Sequence, residues 1–421
     1  MWRKALVSGA AASLAAGGVA YEIERRRLLR ARDADPEWHA LTAPLEGGRE
    51  HDVVSADGTR LRTLVFGPEE GHTIVLIHGW LEAIELWQHQ IRTLSKEFRV
   101  VAYEQRGHAG SAPPESAAYT DEALSDDLEA VLNACVPAGT SCVVAGHSMG
   151  GMTIVAWAGR HVESVDARLA GAVFLNTGMS EFVHRATVFG EGAGRRLHRL
   201  GMQLLFLSEL AWPPVFDLPA YVLTRRLAFG PTASVGQVAF GHSMFASNKP
   251  EVRAGFGRML LSLDLLPSAA SLTVPAIVVG SRYDRLLPLW YSERLAEALP
   301  DVVEFVELTE VGHMSPFEEP ERVTGLIGRL ARACLTARPR TLETARARSK
   351  REAAVMSEAP RTPEPDPERV TPKDVAEMSQ GAPGEPAEAA GRLSRNAKRG
   401  RRQRKGSGTP KTEEQRKRPA R

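Results

Sequence analysis

The residues whose types and spacing most clearly carry chemistry are Gly146-His147-Ser148-Met149-Gly150-Gly151. The segment follows an apolar run and opens a helix-forming stretch. A G-x-S-x-G sequence in that context forms a tight turn that holds the serine hydroxyl out at the edge of a sheet. The flanking glycines remove Cβ clashes around a strained serine backbone. We therefore predict Ser148 as a nucleophile, with the backbone N–H of Met149 available to stabilise a developing oxyanion.

A serine nucleophile needs a histidine base and an acid that orients it, and after this turn they follow in the order Ser, acid, His. Five of the 12 histidines follow the motif, namely His161, His184, His198, His242 and His313. Only His313 directly follows a predicted strand, and Asp284 follows the strand before it. The spacing of 29 residues between them fits one loop, one helix and one strand. We predict Asp284 as the acid, with Asp264 and Asp301 as weaker alternatives because neither follows a strand end.

A second oxyanion donor is predicted where His78-Gly79-Trp80 follows another apolar strand. The backbone N–H of Trp80 is the candidate, beside that of Met149. His78 is expected to brace this loop. In the next strand-end loop, Arg106 is expected to bond neighbouring backbone carbonyls, and His108 is either a brace or a substrate contact.

Eight short apolar segments must position these residues as strands: His51–Ser55, Thr59–Phe66, Thr73–His78, Arg99–Tyr103, Ser141–Ala145, Ala170–Leu175, Pro275–Gly280 and Val302–Leu308. The third to seventh are nearly continuous apolar runs, which is typical of parallel strands buried on both faces. Asp57-Gly58 between the first two is a hairpin signal, so the sheet is expected to begin antiparallel. The order predicts an α/β fold, with a doubly wound, mostly parallel eight-stranded sheet.

Helical stretches are predicted near Trp87–Ser95, Thr120–Asn133, Gly150–His161, Leu289–Leu299 and Pro320–Cys334. Residues 178–266 interrupt the alternation with an apolar helical insertion that Pro213-Pro214 and Pro219 are expected to break. Ligands of open α/β sheets sit at the carboxyl ends of the strands. We therefore expect the insertion to be a lid over that edge, the alternative being a second helical layer without a binding role.

The N-terminal residues 1–33 contain an uncharged run over Ala5–Tyr21, followed by five arginines up to Arg32. At about 1.5 Å per residue this run is marginal for a bilayer core of about 30 Å. We expect a single membrane anchor with the catalytic body in the cytoplasm, since more positive charge follows the run than precedes it. A cleaved signal peptide with export, or a helix that contacts nothing, are the alternatives.

Residues 338–421 form a separate basic segment with 22 Lys/Arg against 12 Asp/Glu, no aromatic residue and 10 of the 27 prolines. Such a composition predicts a disordered tail. Its Arg399–Lys405 cluster could contact anionic lipid, whereas nucleic acid is a less favoured partner. Three cysteines without ligand spacing exclude a disulfide scaffold. The α/β catalytic domain is assigned to residues 34–337.

Residues of about 48–336 resemble the α/β-hydrolase superfamily, in the lidded serine-hydrolase branch of esterases, monoacylglycerol lipases and cofactor-free haloperoxidases. The landmarks are H-G-W at 78–80, Y-x-x-R-G-H at 103–108, G-H-S-M-G-G at 146–151, and G-x-x-x-D at 280–284 before G-H-M at 312–314. The resemblance implies Ser148, Asp284 and His313 as catalytic residues and the Trp80 and Met149 amides as the oxyanion hole. Glu104 and Ala109 depart from it, where the family has Asp and Gly. A serine at the turn argues against epoxide hydrolases, which have Asp there.

The expected activity is hydrolysis of a carboxylic ester through an acyl-enzyme, with no metal or organic cofactor. The apolar insertion favours a small hydrophobic or lipid-like substrate. Two alternatives remain. A perhydrolase would use peroxide in place of water on the same acyl-enzyme, and a non-catalytic, membrane-tethered scaffold would keep only the fold.

Overall fold

The structure, a computed structural model, describes residues 2–114, 119–180, 207, 209 and 217–336, with side chains from residue 17 onward. All of these residues belong to one compact unit, Met1–Met356. The predictions for the tail over 338–421, for Pro213-Pro214 and for much of the insertion lie outside the described residues.

Eight strands form one sheet: β1 Arg49–Val54, β2 Arg60–Phe66, β3 Thr73–Ile77, β4 Arg99–Tyr103, β5 Cys142–His147, β6 Leu169–Leu175, β7 Ala276–Ser281 and β8 Val302–Leu308. Their order across the sheet is β1-β2-β4-β3-β5-β6-β7-β8. β2 pairs antiparallel with β1 and β4, and every other pairing is parallel. The predicted α/β fold is confirmed, and Gly58 turns the first hairpin with a φ of +89°.

The described helices are α1 Trp2–Asp33, α2 Pro36–Thr42, α3 Gln88–Leu94, α4 Asp121–Cys135, α5 Met149–Arg160, α6 Val165–Arg168, α7 Asp217–Ala228, α8 Val235–Ala246, α9 Pro250–Ser262, α10 Trp290–Ala298, α11 Ser315–Glu318 and α12 Pro320–Ala331. Short 3₁₀ segments cover Ile84–Trp87, Val162–Ser164 and Leu266–Ser271, and a π-helical turn follows at Arg332–Thr336. The strand–helix alternation that the sequence predicts is therefore present on both sides of the insertion.

The core lies on both faces of the sheet because the central strands are apolar on both sides. Ile74 and Leu76 of β3 point into one cluster with Trp87, whereas Val75 and Ile77 point into the other with Trp157. Both tryptophans are fully buried. This double cover fixes the register of β3 and β5, and hence the heights at which the loops after them leave the sheet.

The insertion is helical where it is described. It contains α7, α8 and α9, and an isolated bridge between Ser180 and Asp264 closes its base. Pro219 lies in the first turn of α7 and does not interrupt that helix, and the stretch before it, where a break was expected, lies outside the described residues. Proline is tolerated there because the N–H it lacks would have no intrahelical acceptor.

At the N-terminus, residues 2–33 form the single helix α1. Asp35 then caps α2 through a 2.9 Å hydrogen bond from the Glu37 N–H and also accepts one from the Gly236 N–H of α8, at 2.7 Å. The start of the chain is therefore fastened to the insertion. Within the described residues, no helix is both long and apolar enough to cross a membrane, as a spanning anchor over Ala5–Tyr21 would require.

Candidate active site

The turn after β5 has the strained geometry that the sequence predicts. Ser148 has a φ of +50° and a ψ of −119°, in a region that residues with a Cβ rarely adopt. A Cβ at Gly146 would lie 2.5 Å from the carbonyl of Gly150, and one at Gly150 would clash with the carbonyl oxygen of Ile77. Only glycine fits at these two positions. Ser148 is partly exposed, while its N–H donates to Leu175 O at 2.9 Å.

The predicted base and acid meet at the same edge of the sheet. His313 Nδ1 donates to Asp284 Oδ2 at 2.7 Å, and both residues are buried. The other carboxylate oxygen of Asp284 accepts from the N–H groups of Leu286 and Leu287 at 2.9 and 2.8 Å. The acid is therefore fixed on both sides. With Nδ1 carrying the proton, Nε2 of His313 is left as the basic nitrogen.

The predicted nucleophile, Ser148, follows a residue that lies beside this pair. His147, the residue before Ser148, has its ring centroid 4.8 Å from that of His313. The structure thus brings together the strand ends of β5, β7 and β8 that the sequence order selected. The alternative acids lie elsewhere: Asp264 is exposed beside the Ser180 bridge, and the carbonyl of Asp301 accepts from Ala276 N–H at the opposite end of β7.

The predicted oxyanion donors flank Ser148. Met149 is the first residue of α5, so its N–H is among those that a helix start leaves free of intrahelical bonds. On the other side, a Cβ at Gly79 would lie 2.9 Å from the Cβ of Ser148. The loop that carries Gly79 and Trp80 therefore passes close to Ser148. The N–H groups of Met149 and Trp80 remain the predicted oxyanion donors.

His78 and His108 brace the loops beside the site through hydrogen bonds from backbone N–H groups. His78 Nε2 accepts from the Gln105 N–H at 3.0 Å, which agrees with a bracing role. His108 is fully buried, and its Nε2 accepts from the Leu81 N–H at 3.0 Å. Burial lowers the pKa of His108 to about 3, so it is a neutral brace of the Trp80 loop. This contact favours the bracing alternative over the substrate contact.

Arg106 has partners that the sequence analysis did not foresee. Its guanidinium donates to both oxygens of Asp127, at 2.7 and 2.6 Å, and to Asp57 at 2.8 Å. The buried charge is therefore neutralised by α4 and by the first hairpin, which ties the loop after β4 to both.

Asn176, at the end of β6, was missed. Its Nδ2 donates to Asp284 Oδ2 at 3.1 Å and to Ser281 Oγ at 2.8 Å, while its Oδ1 accepts from the Ser315 hydroxyl at 2.6 Å. The carboxylate can only accept, which fixes the orientation of the amide. Asn176 has a φ of +47°. As a polar residue directly after a buried strand, it could have been recognised in the sequence as a candidate site residue.

Glu82 and His147 were also missed as parts of the site. His147 Nδ1 lies 2.9 Å from Glu82 Oε2, and both side chains are buried. With His313 they form a group whose ligand-type atoms lie within 4.8 Å of one another. The nitrogens of His147 are directed at Glu82 and at the His313 carbonyl, and His313 Nδ1 is directed at Asp284. The ligand-type atoms of this group are therefore hydrogen-bonded to one another or to neighbouring groups, and they do not point towards a common metal position.

Glu318 of α11 fastens the loop that carries His313. Its Oε1 accepts from the N–H groups of Gly312 and Met314, both at 3.1 Å, and its Oε2 from that of Gly230 at 2.7 Å. The His313 N–H in turn donates to Ala228 O, at the end of α7. The base loop and the insertion are thus bound to each other through the backbone.

A strained serine beside a histidine–carboxylate pair, at the carboxyl edge of this sheet, is the arrangement that serine hydrolases use. Residues 74–326 match the family model for the alpha/beta hydrolase family, and the chain belongs to this family.

Several proteins similar to this chain are named as hydrolases. The chain is 28% identical over 245 residues to RutD of Variovorax paradoxus, provisionally named a carbamate hydrolase, which covers 56% of this chain and 84% of the relative. It is 23% identical to the AB hydrolase superfamily protein YisY of Bacillus subtilis, over 62% of this chain and 92% of YisY. A thermophilic esterase from Thermogutta terrifontis superposes with a TM-score of 0.54 and 25% identity, over 68% of this chain and 100% of that structure. Together with the family match, these relatives assign the chain to the hydrolases.

Proposed function

We propose that this protein hydrolyses carboxylic esters with a hydrophobic acyl group, through an acyl-enzyme on Ser148. The observation that carries the proposal is the His313–Asp284 hydrogen bond of 2.7 Å beside the strained turn of Ser148. A histidine held in this tautomer can accept the serine proton, and its positive charge is then stabilised by the carboxylate.

The reaction would run in two halves. His313 Nε2 takes the hydroxyl proton while Ser148 Oγ attacks the carbonyl carbon, and the oxyanion is stabilised by the N–H groups of Met149 and Trp80. His313 then protonates the leaving alcohol. In the second half, His313 activates a water molecule that attacks the acyl-enzyme, and release of the acid restores the serine. None of these steps needs a metal or an organic cofactor.

The hydrophobic preference is supported by the insertion. Leu223 of α7 and Leu261 of α9 are partly buried apolar residues that pack against the core, as does Leu207 from the part before α7. An apolar cover over the carboxyl edge would desolvate an acyl chain and strengthen its binding with each added methylene group.

The test is a series of p-nitrophenyl esters from acetate to dodecanoate, with Ser148→Ala and Asp284→Asn as variants and an aryl carbamate for comparison. We expect kcat/KM to rise from acetate to medium chains and Ser148→Ala to be inactive. Asp284→Asn should lose about 10³–10⁴-fold in kcat, because His313 would take the wrong tautomer. A steady decline from acetate upward would exclude the hydrophobic acyl pocket. If the aryl carbamate is turned over faster than the esters, carbamates would replace esters as the proposed substrate class.

We also propose that the protein associates with anionic membrane surfaces through α1. Val19 and Ile23 are 60% and 62% exposed, and Arg26 and Arg30 lie on the same exposed helical face. Apolar and cationic side chains on one face suit an interface with anionic lipid. The acidic residues Glu22 and Glu24 pair with neighbouring arginines and reduce this charge.

Co-sedimentation with vesicles of phosphatidylcholine, with and without phosphatidylglycerol, tests the association. Full-length protein and residues 1–337 should both bind only the anionic vesicles, and Arg26→Glu with Arg30→Glu should release both. Arg60→Glu, on the exposed hairpin, is the matched control. If only full-length protein binds, the contact belongs to the basic tail and the proposal for α1 fails.

A further inference from the structure

A second histidine–carboxylate pair lies directly behind the first and has no part in the proton transfers. Glu82 and His147 are 1% and 0% exposed, with Nδ1 and Oε2 2.9 Å apart. Two ionisable side chains are costly to bury, so a pair at this position calls for a compensating role. The other hydrogen bonds of Glu82 and His147 indicate this role.

Each partner of the pair holds a different part of the site. Glu82 Oε2 also accepts from the N–H of Gly79, in the loop that passes close to Ser148. On the other side, His147 Nε2 donates to the carbonyl oxygen of His313 at 2.8 Å. A carbonyl can only accept, so Nε2 of His147 carries a hydrogen. The pair therefore connects the oxyanion loop to the backbone of the base.

The charges strengthen these contacts. Burial alone would lower the pKa of His147, but the Glu82 carboxylate outweighs it and raises that pKa. Burial acts against the charged form of Glu82 as well, and the charge of His147 with its hydrogen bond still lowers the pKa of Glu82. An imidazolium with both nitrogens protonated can donate to Glu82 and to the His313 carbonyl at once. Hydrogen bonds with ionised partners are about twice as strong as neutral ones.

We propose that Glu82 and His147 are positioning residues that hold the oxyanion loop and His313 in register around Ser148. His147 is well placed for this because it precedes Ser148 in the chain and is fixed at the end of β5. Loss of the link would let the Gly79–Trp80 donors and the base drift relative to the nucleophile. The loss should appear in kcat rather than in KM, since a misplacement of about 1 Å can cost about 10²-fold in rate.

The test compares Glu82→Gln with Glu82→Leu, using steady-state kinetics on the best ester and the rate of fluorophosphonate labelling. With its oxygen at the position of Oε2, Gln can still accept from the Gly79 N–H and from His147 Nδ1, so both contacts of Glu82 can survive. Leu has a similar volume and removes both. We expect Glu82→Leu to lose at least about tenfold in kcat and in labelling rate, with KM changed by less than about threefold, and Glu82→Gln to recover most of the loss.

Three further variants keep the test decisive. His147→Phe breaks the link from the other side. Its combination with Glu82→Leu should cost no more than the larger single effect, because the two residues act as one unit. Glu129→Gln is the matched control: it neutralises a carboxylate that accepts from Trp157 Nε1 at 2.7 Å, on the far side of α5, and should leave kcat unchanged. If Glu82→Leu does not fold, His147→Phe supplies the same comparison.

The inference rests on the proposed function but fails separately from it. Labelling of the wild type at Ser148 tests the function, and the variants test the pair. Folded Glu82→Leu and His147→Phe proteins with wild-type kcat would overturn the positioning role. Losses that multiply in the double variant, or a loss confined to KM, would overturn it as well.

Discussion

At the scale of single residues, the carboxylate of Asp284, the proposed acid, accepts a hydrogen bond from a neighbour outside the proposed triad. Asn176 donates to the oxygen of Asp284 that accepts from His313, and it also binds Ser281 and Ser315. One amide therefore joins the ends of β6 and β7 to the loop of the base. Because its backbone has a positive φ, glycine is the substitution that removes the amide without adding strain.

Asn176→Gly should lower kcat by roughly tenfold, since the Asp284 carboxylate loses a donor and the serine hydroxyls lose their partners. It should also lower the free energy of unfolding by about 1–3 kcal/mol, the usual cost of buried polar groups left unpaired. Ester kinetics and urea unfolding measure the two effects. Asn133→Gly, on the exposed face of α4, is the control for stability alone. Unchanged kcat in Asn176→Gly would show that Asp284 is held without this amide.

At the scale of elements, the loop after β4 stores strain at one position. Ala109 has a φ of +40° and stands at a position where α/β-hydrolases have glycine. The loop keeps the left-handed conformation despite the extra methyl group. Ala109→Gly should therefore raise the free energy of unfolding, by about 1 kcal/mol. Thermal or urea unfolding checks this. A decrease would mean that the methyl group makes packing contacts worth more than the strain.

The loop of His313 should show a pH-dependent stability through Glu318. Burial raises the pKa of Glu318 from 4.5 to about 7, despite the three backbone N–H groups it accepts from. The folded state thus holds this proton more tightly than the unfolded chain. The stabilisation is present at low pH and is lost as the pH rises through the folded pKa.

Glu318→Gln removes this ionisable group, so the variant is the reference against which the wild type is compared. The unfolding free energy of the wild type minus that of Glu318→Gln should fall by about 2 kcal/mol from pH 5 to pH 8. Urea unfolding at the two pH values measures this difference. A constant difference would show that Glu318 titrates alike in the folded and unfolded states.

The sequence was most informative where local patterns determine structure. Each strand was predicted to within two residues at either end. The third to seventh were the clearest, because burial on both faces leaves a continuous apolar signature. The order of Ser148, Asp284 and His313 along the chain was readable because each follows a strand end. Glu82 and Asn176 carry no comparable spacing. Their partners lie 65 and 108 residues away along the chain, so their roles exist only once the sheet has formed. For the same reason Asp57 and Asp127 could not be assigned to Arg106.

At the scale of the whole molecule, the site is complete within the family match. All residues of the proposed site lie between Gly79 and His313, which is inside the matched range of 74–326. Residues 1–337 should therefore retain kcat/KM on esters within a factor of about two and unfold at nearly the same temperature as the full chain. Ester kinetics and calorimetry of the two forms check this. A drop of many degrees would show that residues 338–421 stabilise the hydrolase domain.

The central claim is that Ser148 is the nucleophile and that His313 activates it. The most direct measurement is peptide mapping by mass spectrometry after a fluorophosphonate reaction with the wild type, Ser148→Ala and His313→Ala. We expect one adduct, on the peptide that contains Ser148. We expect none in Ser148→Ala and labelling slowed by orders of magnitude in His313→Ala, because the two residues act as one unit. An adduct on another residue, or wild-type labelling of Ser148→Ala, would contradict this assignment.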